Sequence, residues 1–270
     1  MLFSTNPTFI RQSVEAGVRG IVVDWEHTGK ERRQALADTQ INRDTLDDLR
    51  RVRACTHALV ICRMNGYGAT TAEEVEQAVE AGADELLLPM VQTVEEVEAV
   101  LDQVKDRCGV GILVETVAAT MLVEGLARLP LSRVYVGFND LAIERKTPNI
   151  FAAVSDGTVD RVRRSFHIPF GFGGLTLPDC GYPIPCRLLI GEMIRINCDF
   201  SVLRRSFYRD IRGRDPAFEI PRLLEALRQA ALRSPAAVAS DRHDLENAIR
   251  AWSDAAVPVE DDFVDGRPTE

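Results

Sequence analysis

The chain has 270 residues, a formal net charge of −9 and a sequence pI near 5.1, a balance that argues against a nucleic-acid-binding surface. A hydrophobic share of 46% is ordinary for a globular protein with a sizeable core, in one large domain or two small ones. No apolar run approaches the roughly 18–20 residues of a membrane span, and no basic segment leads into a signal-type apolar stretch, so a cytoplasmic protein is expected.

Taken in order, apolar runs alternate with helical patterns. Residues 2–4 form a short first strand, and Pro7 opens a helix that ends near Gly17. Gly20-Ile21-Val22-Val23-Asp24 is a second strand, followed by Trp25-Glu26-His27. After a polar loop, residues 43–54 read as a helix and 58–63 as a third strand, which runs into Met64-Asn65-Gly66. Thr71-Ala72-Glu73-Glu74 has the form of a capping box, with a helix to Gly82. Leu86-Leu87-Leu88-Pro89 is a fourth strand, and Thr93-Val94-Glu95-Glu96 repeats the capping-box pattern. Ile112-Leu113-Val114 ends on Glu115-Thr116, and Val134-Tyr135-Val136 runs through Gly137-Phe138-Asn139 to Asp140. Residues 168–172 and 200–203 are candidates for strands seven and eight, with a helix over 185–195 between them.

Strand ends recur at a near-constant interval: Arg63 to Pro89 is 26 positions, Pro89 to Glu115 is 26 and Glu115 to Asp140 is 25. That interval suits one βα unit, and uninterrupted alternation implies a parallel sheet. The fold class is therefore α/β, a (β/α)8 TIM barrel with extra C-terminal helices. A doubly wound open sheet is the runner-up, weakened because no G-x-G-x-x-G follows the first strand. The expected domains are a catalytic barrel over residues 1–212, C-terminal helices over 213–254 and an acidic, disordered tail over 255–270. In the helices, Asp215-Pro216 is a start signal, Leu223, Leu224, Leu227 and Leu232 share a face, residues 236–240 read as a linker, and Leu245, Ile249 and Trp252 form a second stripe. These helices cover the barrel bottom or pack on another subunit.

In a barrel the working residues sit at the carboxyl ends of the strands. Those ends carry Asp24, Glu26, His27, Arg63, Pro89, Glu115 and Asp140. An acid ending a buried strand is costly unless it is paired or coordinates a cation. Glu115 and Asp140 are thus the candidate ligands of a divalent metal ion, Mg²⁺ or Mn²⁺, which takes oxygen ligands and usually one or two carboxylates. A 2-oxo acid is the small-molecule substrate this kit suits: metal and Arg63 would stabilise its enolate, and His27 would move a proton with Asp24 fixing the tautomer. Glu26, Pro89, Phe138 and Asn139 join Arg63 as candidate substrate contacts. The duller alternatives are helix capping for Glu115 and Asp140, structural pairing for Arg63 and a taskless loop position for His27. His57 and His167 are read as structural. Gly171, Gly173 and Gly174 serve tight backbone turning better than an anion nest. The six cysteines (Cys55, Cys62, Cys108, Cys180, Cys186 and Cys198) form no C-x-x-C and read as reduced, small hydrophobes, with a redox or binding role left open only for Cys180 and Cys186.

Several motifs together are similar to one family. Val23-Asp24-Trp25-Glu26-His27 resembles the D-x-E-H signature of the HpcH/HpaI class II pyruvate aldolases, Leu88-Pro89-Met90-Val91-Gln92 their L-V-P-M-V-Q, and Val136-Gly137-Phe138-Asn139-Asp140-Leu141 their G-P-x-D-L. Glu115-Thr116 is similar to the I-E-T element shared with citrate lyase β-subunits and malyl-CoA lyases. The resemblance spans roughly residues 1–205. It implies a metal-dependent carbon–carbon lyase that cleaves or forms 4-hydroxy-2-oxo acids through a pyruvate enolate, with Glu115 and Asp140 on the metal, Arg63 on the oxo acid, and His27 with Asp24 as acid and base. It also implies a homo-oligomer, a hexamer or trimer, with C-terminal helices exchanged between neighbours.

Three positions depart from the pattern. Leu113 stands where the aldolases usually carry Gln, Arg63-Met64-Asn65-Gly66 is closer to the lyase branch's R-x-N-G, and Phe138-Asn139 replaces a smaller Pro-containing pair. The alternatives are a malyl-, citramalyl- or citryl-CoA lyase on the same barrel, or a non-catalytic metabolite-binding barrel.

Overall fold

Near-continuous apolar runs pair in parallel to build the sheet, as expected of strands buried on both faces. The computed structural model describes residues 1–28 and 44–256; the expected helix start at Arg43 and the acidic tail beyond Ala256 lie outside the described residues. Among the described residues seven strands follow chain order: β1 (Leu2–Phe3), β2 (Gly20–Asp24), β3 (Leu59–Arg63), β4 (Glu85–Leu88), β5 (Gly109–Val114), β6 (Arg133–Val136) and β7 (Phe170–Phe172). Every neighbouring pair is parallel.

The expected eighth strand at 200–203 is reduced to two isolated parallel bridges, Phe200 to Gly171 on β7 and Leu203 to Leu2 on β1. Between the bridges the Ser201 hydroxyl donates to the Phe172 carbonyl at 2.7 Å. One short segment thus touches both edges of the sheet, so the sheet is curled.

Alternation along each strand sorts the side chains. Val23, Cys62, Leu88, Val114, Val136 and Phe172 belong to the core between sheet and helices. Phe3, Val22, Ile61, Leu87, Leu113 and Val202 form a separate apolar cluster on the concave side, with Tyr135 and Phe200 against it. Two positions beyond four of these inner residues come Asp24, Arg63, Glu115 and Arg204, which the period of two aims into the same mouth. Near the opposite end an ion pair joins Glu85 to Arg133, whose guanidinium also lies 5.0 Å from the centre of the Phe200 ring.

Helix starts follow their caps. The helix Leu46–Cys55 begins at Thr45, where the Thr45 hydroxyl and Asp48 carboxylate cap each other's N–H, and Thr93 with Glu96 does the same for Val94–Val104. The capping box expected at Thr71 is not formed: Thr71 is already inside the helix Thr71–Glu80, its hydroxyl accepts from Gly68 N–H at 2.8 Å, and Glu74 reaches elsewhere. The expected linker over 236–240 is helical, part of Pro235–Ala256. Pro235 begins the helix and the Ser234 hydroxyl accepts from Ala237 N–H at 3.3 Å, so the break shrinks to that cap. The helix Pro216–Ala231 packs on Pro7–Glu15 and Cys186–Arg195, and Pro235–Ala256 packs on Cys186–Arg195 and Ala152–Ser155. No helix among the described residues is long and apolar enough to cross a membrane.

Candidate active site

Register on the β2–β3 pair sets Asp24 directly against Arg63. Both are buried, and Arg63 Nε and Nη2 donate to the two Asp24 carboxylate oxygens at 2.8 and 2.7 Å. Arg63 Nη1 adds an ion pair with buried Glu26 at 3.1 Å. Arg204, from the segment that bridges both sheet edges, reaches Asp24 at 3.1 Å. Both guanidiniums lie over the Phe3 ring, at 5.1 Å for Arg63 and 4.6 Å for Arg204. Burial, and after it the adjacent Arg63, pulls Arg204 down to about 10. Burial also acts to lower Arg63, but Asp24 and Glu26 outweigh it and hold that guanidinium above its ordinary range.

This geometry corrects the expected Asp24–His27 dyad. Asp24 grips Arg63, and the exposed His27 has its Nδ1 2.8 Å from the Trp25 carbonyl oxygen. A carbonyl only accepts, so Nδ1 carries the hydrogen and Nε2 is left as the proton acceptor. The tautomer is set by the backbone, and Asp24 orients the arginine.

The loop bearing His27 is held by Asn65 and Glu74, neither of which the sequence alone placed at the site. Asn65 Oδ1 accepts from His27 N–H at 3.0 Å and Thr28 N–H at 2.9 Å. Glu74 in turn accepts from Asn65 N–H at 3.0 Å and Nδ2 at 2.9 Å, which is where the carboxylate missing from the Thr71 cap has gone. Asn65→Ala is expected to lower kcat by up to about 10²-fold through misplacement of the histidine loop, with metal affinity unchanged. Steady-state kinetics at several metal concentrations checks this; unchanged kcat would detach the loop from the reaction.

Glu115 follows β5 directly and is buried, as is Asp140. Asp140 is not the cap of its helix: Phe138–Glu144 starts earlier, with Gly137 at the cap position and Asp140 in the first turn. Glu115 Oε1 accepts from Met90 N–H at 3.1 Å, and Met90 has φ of 54°, an uncommon backbone conformation for a residue with a side chain. Gly137 makes room for this acid, since a Cβ there would lie 2.5 Å from Glu115 Oε2. Burial, then the neighbouring Asp140 and Glu26 carboxylates, pushes Glu115 up to about 8 against the opposing pull of Arg63. Mutually repelling buried acids are the chemistry a divalent cation relieves. Among the described residues no group of three or more His, Cys, Asp or Glu side chains converges on one point. The chain would therefore supply two carboxylates and leave the other positions to water and substrate, a pattern Mg²⁺ accepts.

The remaining candidates divide. Pro89 is buried and Asn139 is half-buried. Phe138 does not line the mouth as expected; its ring packs 5.3 Å from Phe172 and 5.8 Å from Phe151, in the layer between sheet and helices, because it opens the first helical turn with its apolar face inward. A cleft of about 300 Å³ opens beside Glu26, lined by Thr28, Gly66, Tyr67, Met90, Gln92 and Glu96. Arg204 directly follows the expected eighth strand at 200–203 but was not among the strand-end residues singled out from the sequence.

Known proteins bear on this geometry. A family model described as HpcH/HpaI aldolase/citrate lyase matches residues 1–146. No curated protein sequence matches the chain. Among solved structures, an HpcH/HpaI aldolase from Desulfitobacterium hafniense DCB-2 aligns with a TM-score of 0.52 at 14% identity, covering 74% of this chain and 83% of that one. The citrate synthase SbnG aligns at 0.54 and 17%, covering 79% and 88%. An HpcH/HpaI aldolase/citrate lyase family protein from Burkholderia cenocepacia J2315 aligns at 0.54 and 16%, covering 86% and 92%.

Proposed function

Since the chain belongs to the HpcH/HpaI aldolase/citrate lyase family, whose members are lyase-type enzymes, we propose that it is a divalent-metal-dependent carbon–carbon lyase acting on 4-hydroxy-2-oxo acids. In this reading residues 200–203 serve as the eighth stave of a barrel. The observation that carries the proposal is the placing of two buried neighbouring acids, Glu115 and Asp140, beside the acid-braced Arg63.

A Mg²⁺ or Mn²⁺ ion held by Glu115 and Asp140 would supply Lewis-acid stabilisation of charge developing on the oxo acid. The protein's own groups do the rest. A guanidinium has five N–H donors, and three ends of this one are engaged by Asp24 and Glu26; two donors remain for a substrate carboxylate or enolate oxygen. The two acids hold the guanidinium plane still, so the substrate meets a preorganised group. His27 Nε2 takes the proton of the C4 hydroxyl as the C3–C4 bond breaks, releasing an aldehyde and leaving the electron pair on the pyruvate enolate. Protonation at C3 then completes pyruvate.

Pyruvate release from a panel of 4-hydroxy-2-oxo acids tests the proposal. Turnover should require Mg²⁺ or Mn²⁺, stop with EDTA and return when the ion is restored. Release indifferent to chelation would refute the metal role. A second reading, an acyl-CoA lyase of the malyl, citramalyl or citryl type, is favoured by Arg63-Met64-Asn65-Gly66 and by the structural work Asn65 performs; exclusive turnover of malyl-CoA or citramalyl-CoA would select it. Turnover of neither substrate class would leave a binding barrel.

A further inference from the structure

On β6 the inward-facing side chain below Gly137 is Tyr135, set in register against Leu113 of β5. Its ring stacks on Phe200 at 6.0 Å with planes 19° apart, and this packing uses only the ring. The hydroxyl reaches upward to the carboxyl end of β7, where a Cβ on Gly173 would lie 2.5 Å from it. Two strand-end glycines thus perform matching tasks: Gly137 leaves space for the Glu115 carboxylate, and Gly173 leaves space for the Tyr135 hydroxyl. Among the described residues this hydroxyl makes no hydrogen bond, although the residue is only partly exposed and sits on the concave side of the sheet. Leu113 beside it is apolar and offers nothing in exchange.

A phenylalanine would fill this position without desolvating an oxygen. The charged groups acting on the phenol are those of the mouth itself. Burial raises it above its ordinary range, Arg204 and Arg63 act against that rise, and Glu115 adds to it. The phenol therefore stays protonated at neutral pH and is available as a donor.

We propose that the Tyr135 hydroxyl donates a hydrogen bond to an anionic oxygen of the bound oxo acid, from the β6–β7 side of the mouth, while Arg63 engages the substrate from the β2–β3 side. The assignment rests on the oxo-acid reading given above and adds a substrate contact on the facing wall. It would fix the orientation of the planar enolate by contacts on both sides of the mouth.

The test compares Tyr135→Phe with the wild-type protein in Mg²⁺, using oxalate as a planar enolate mimic in a direct binding measurement and pyruvate release as the kinetic readout. Loss of one hydrogen bond to a charged oxygen should weaken oxalate binding and kcat/KM by about 10- to 100-fold, with Tm unchanged or slightly raised. Gly173→Ala should reproduce the loss in the wild-type background. It should add little to Tyr135→Phe, because the new methyl then meets Cζ at 3.6 Å, an ordinary contact. Wild-type turnover with an unimpaired Tyr135→Phe variant would overturn the tyrosine assignment and leave the lyase reading standing. A parallel fall in Tm and activity would assign the hydroxyl to packing and likewise overturn it. Failure of the wild-type protein both to bind oxalate and to turn over oxo acids would overturn both.

Discussion

Arg63→Ala is expected to abolish oxo-acid turnover and to destabilise the fold by about 3–5 kcal/mol, the scale on which removing one partner of a buried ion pair acts. Asp24 and Glu26 are 0% and 1% exposed, and both would lose the guanidinium that neutralises them. Asp24 would keep its contact with Arg204 at 3.1 Å, which moderates the cost at that acid. For a chain of this size the change corresponds to a Tm lower by on the order of 10 °C. Arg63→Lys separates the two roles. The ammonium restores a charge beside the acids but lacks the planar fork that meets both Asp24 oxygens while keeping donors for substrate. Stability should recover in part and turnover should not. Thermal melting alongside pyruvate-release kinetics checks this; a lysine variant with wild-type kcat/KM would mean that the guanidinium is there only to hold the fold.

Glu115→Ala carries the second large effect, with the opposite stability signature. Metal-stimulated turnover should fall by at least about 10²–10³-fold, the scale of removing one group that stabilises charge in the transition state. The metal-free protein should melt at the same temperature or higher, because a buried acid among Asp140 and Glu26 is already penalised. Gly137→Ala provides a graded companion. Its methyl would sit 2.5 Å from a Glu115 oxygen and 2.8 Å from Glu115 Cβ, so the carboxylate must move, and excess metal should restore part of the lost rate. Metal titrations monitored by activity and by Tm distinguish the cases. A Glu115→Ala protein that still responds to Mg²⁺ would remove the acid from the metal site.

Much of this site was legible along the chain because a strand ending on a polar residue announces itself. Asp24, Arg63 and Glu115 each close an apolar run, and burial of the run dictates that the last side chain faces either the helices or the mouth. The capping box at Thr93 was equally plain, since cap and carboxylate are neighbours and no distant group competes. At Thr71 the same pattern misled, because Glu74 makes better use of its charge on Asn65 than on its own helix start. Phe138 misled for a related reason: its place next to Asp140 suggested the mouth, but helical geometry turned the ring into the outer core.

Read alone, the amino-acid order determined that strands and helices alternate, where most strands lie, which family the motifs resemble and which acids end the runs. Those are consequences of local periodicity and of the penalty on buried charge, and both act over a few residues. Tertiary structure decided the pairings. Asp24 serves Arg63 rather than His27, Arg204 enters from an irregular segment 180 residues downstream of Asp24, and the Tyr135 hydroxyl and the Glu115 carboxylate each rest over a glycine on the adjoining strand. Such choices depend on register and on which side chains share a concave face, and these are set only when the sheet curls and brings distant stretches of chain together.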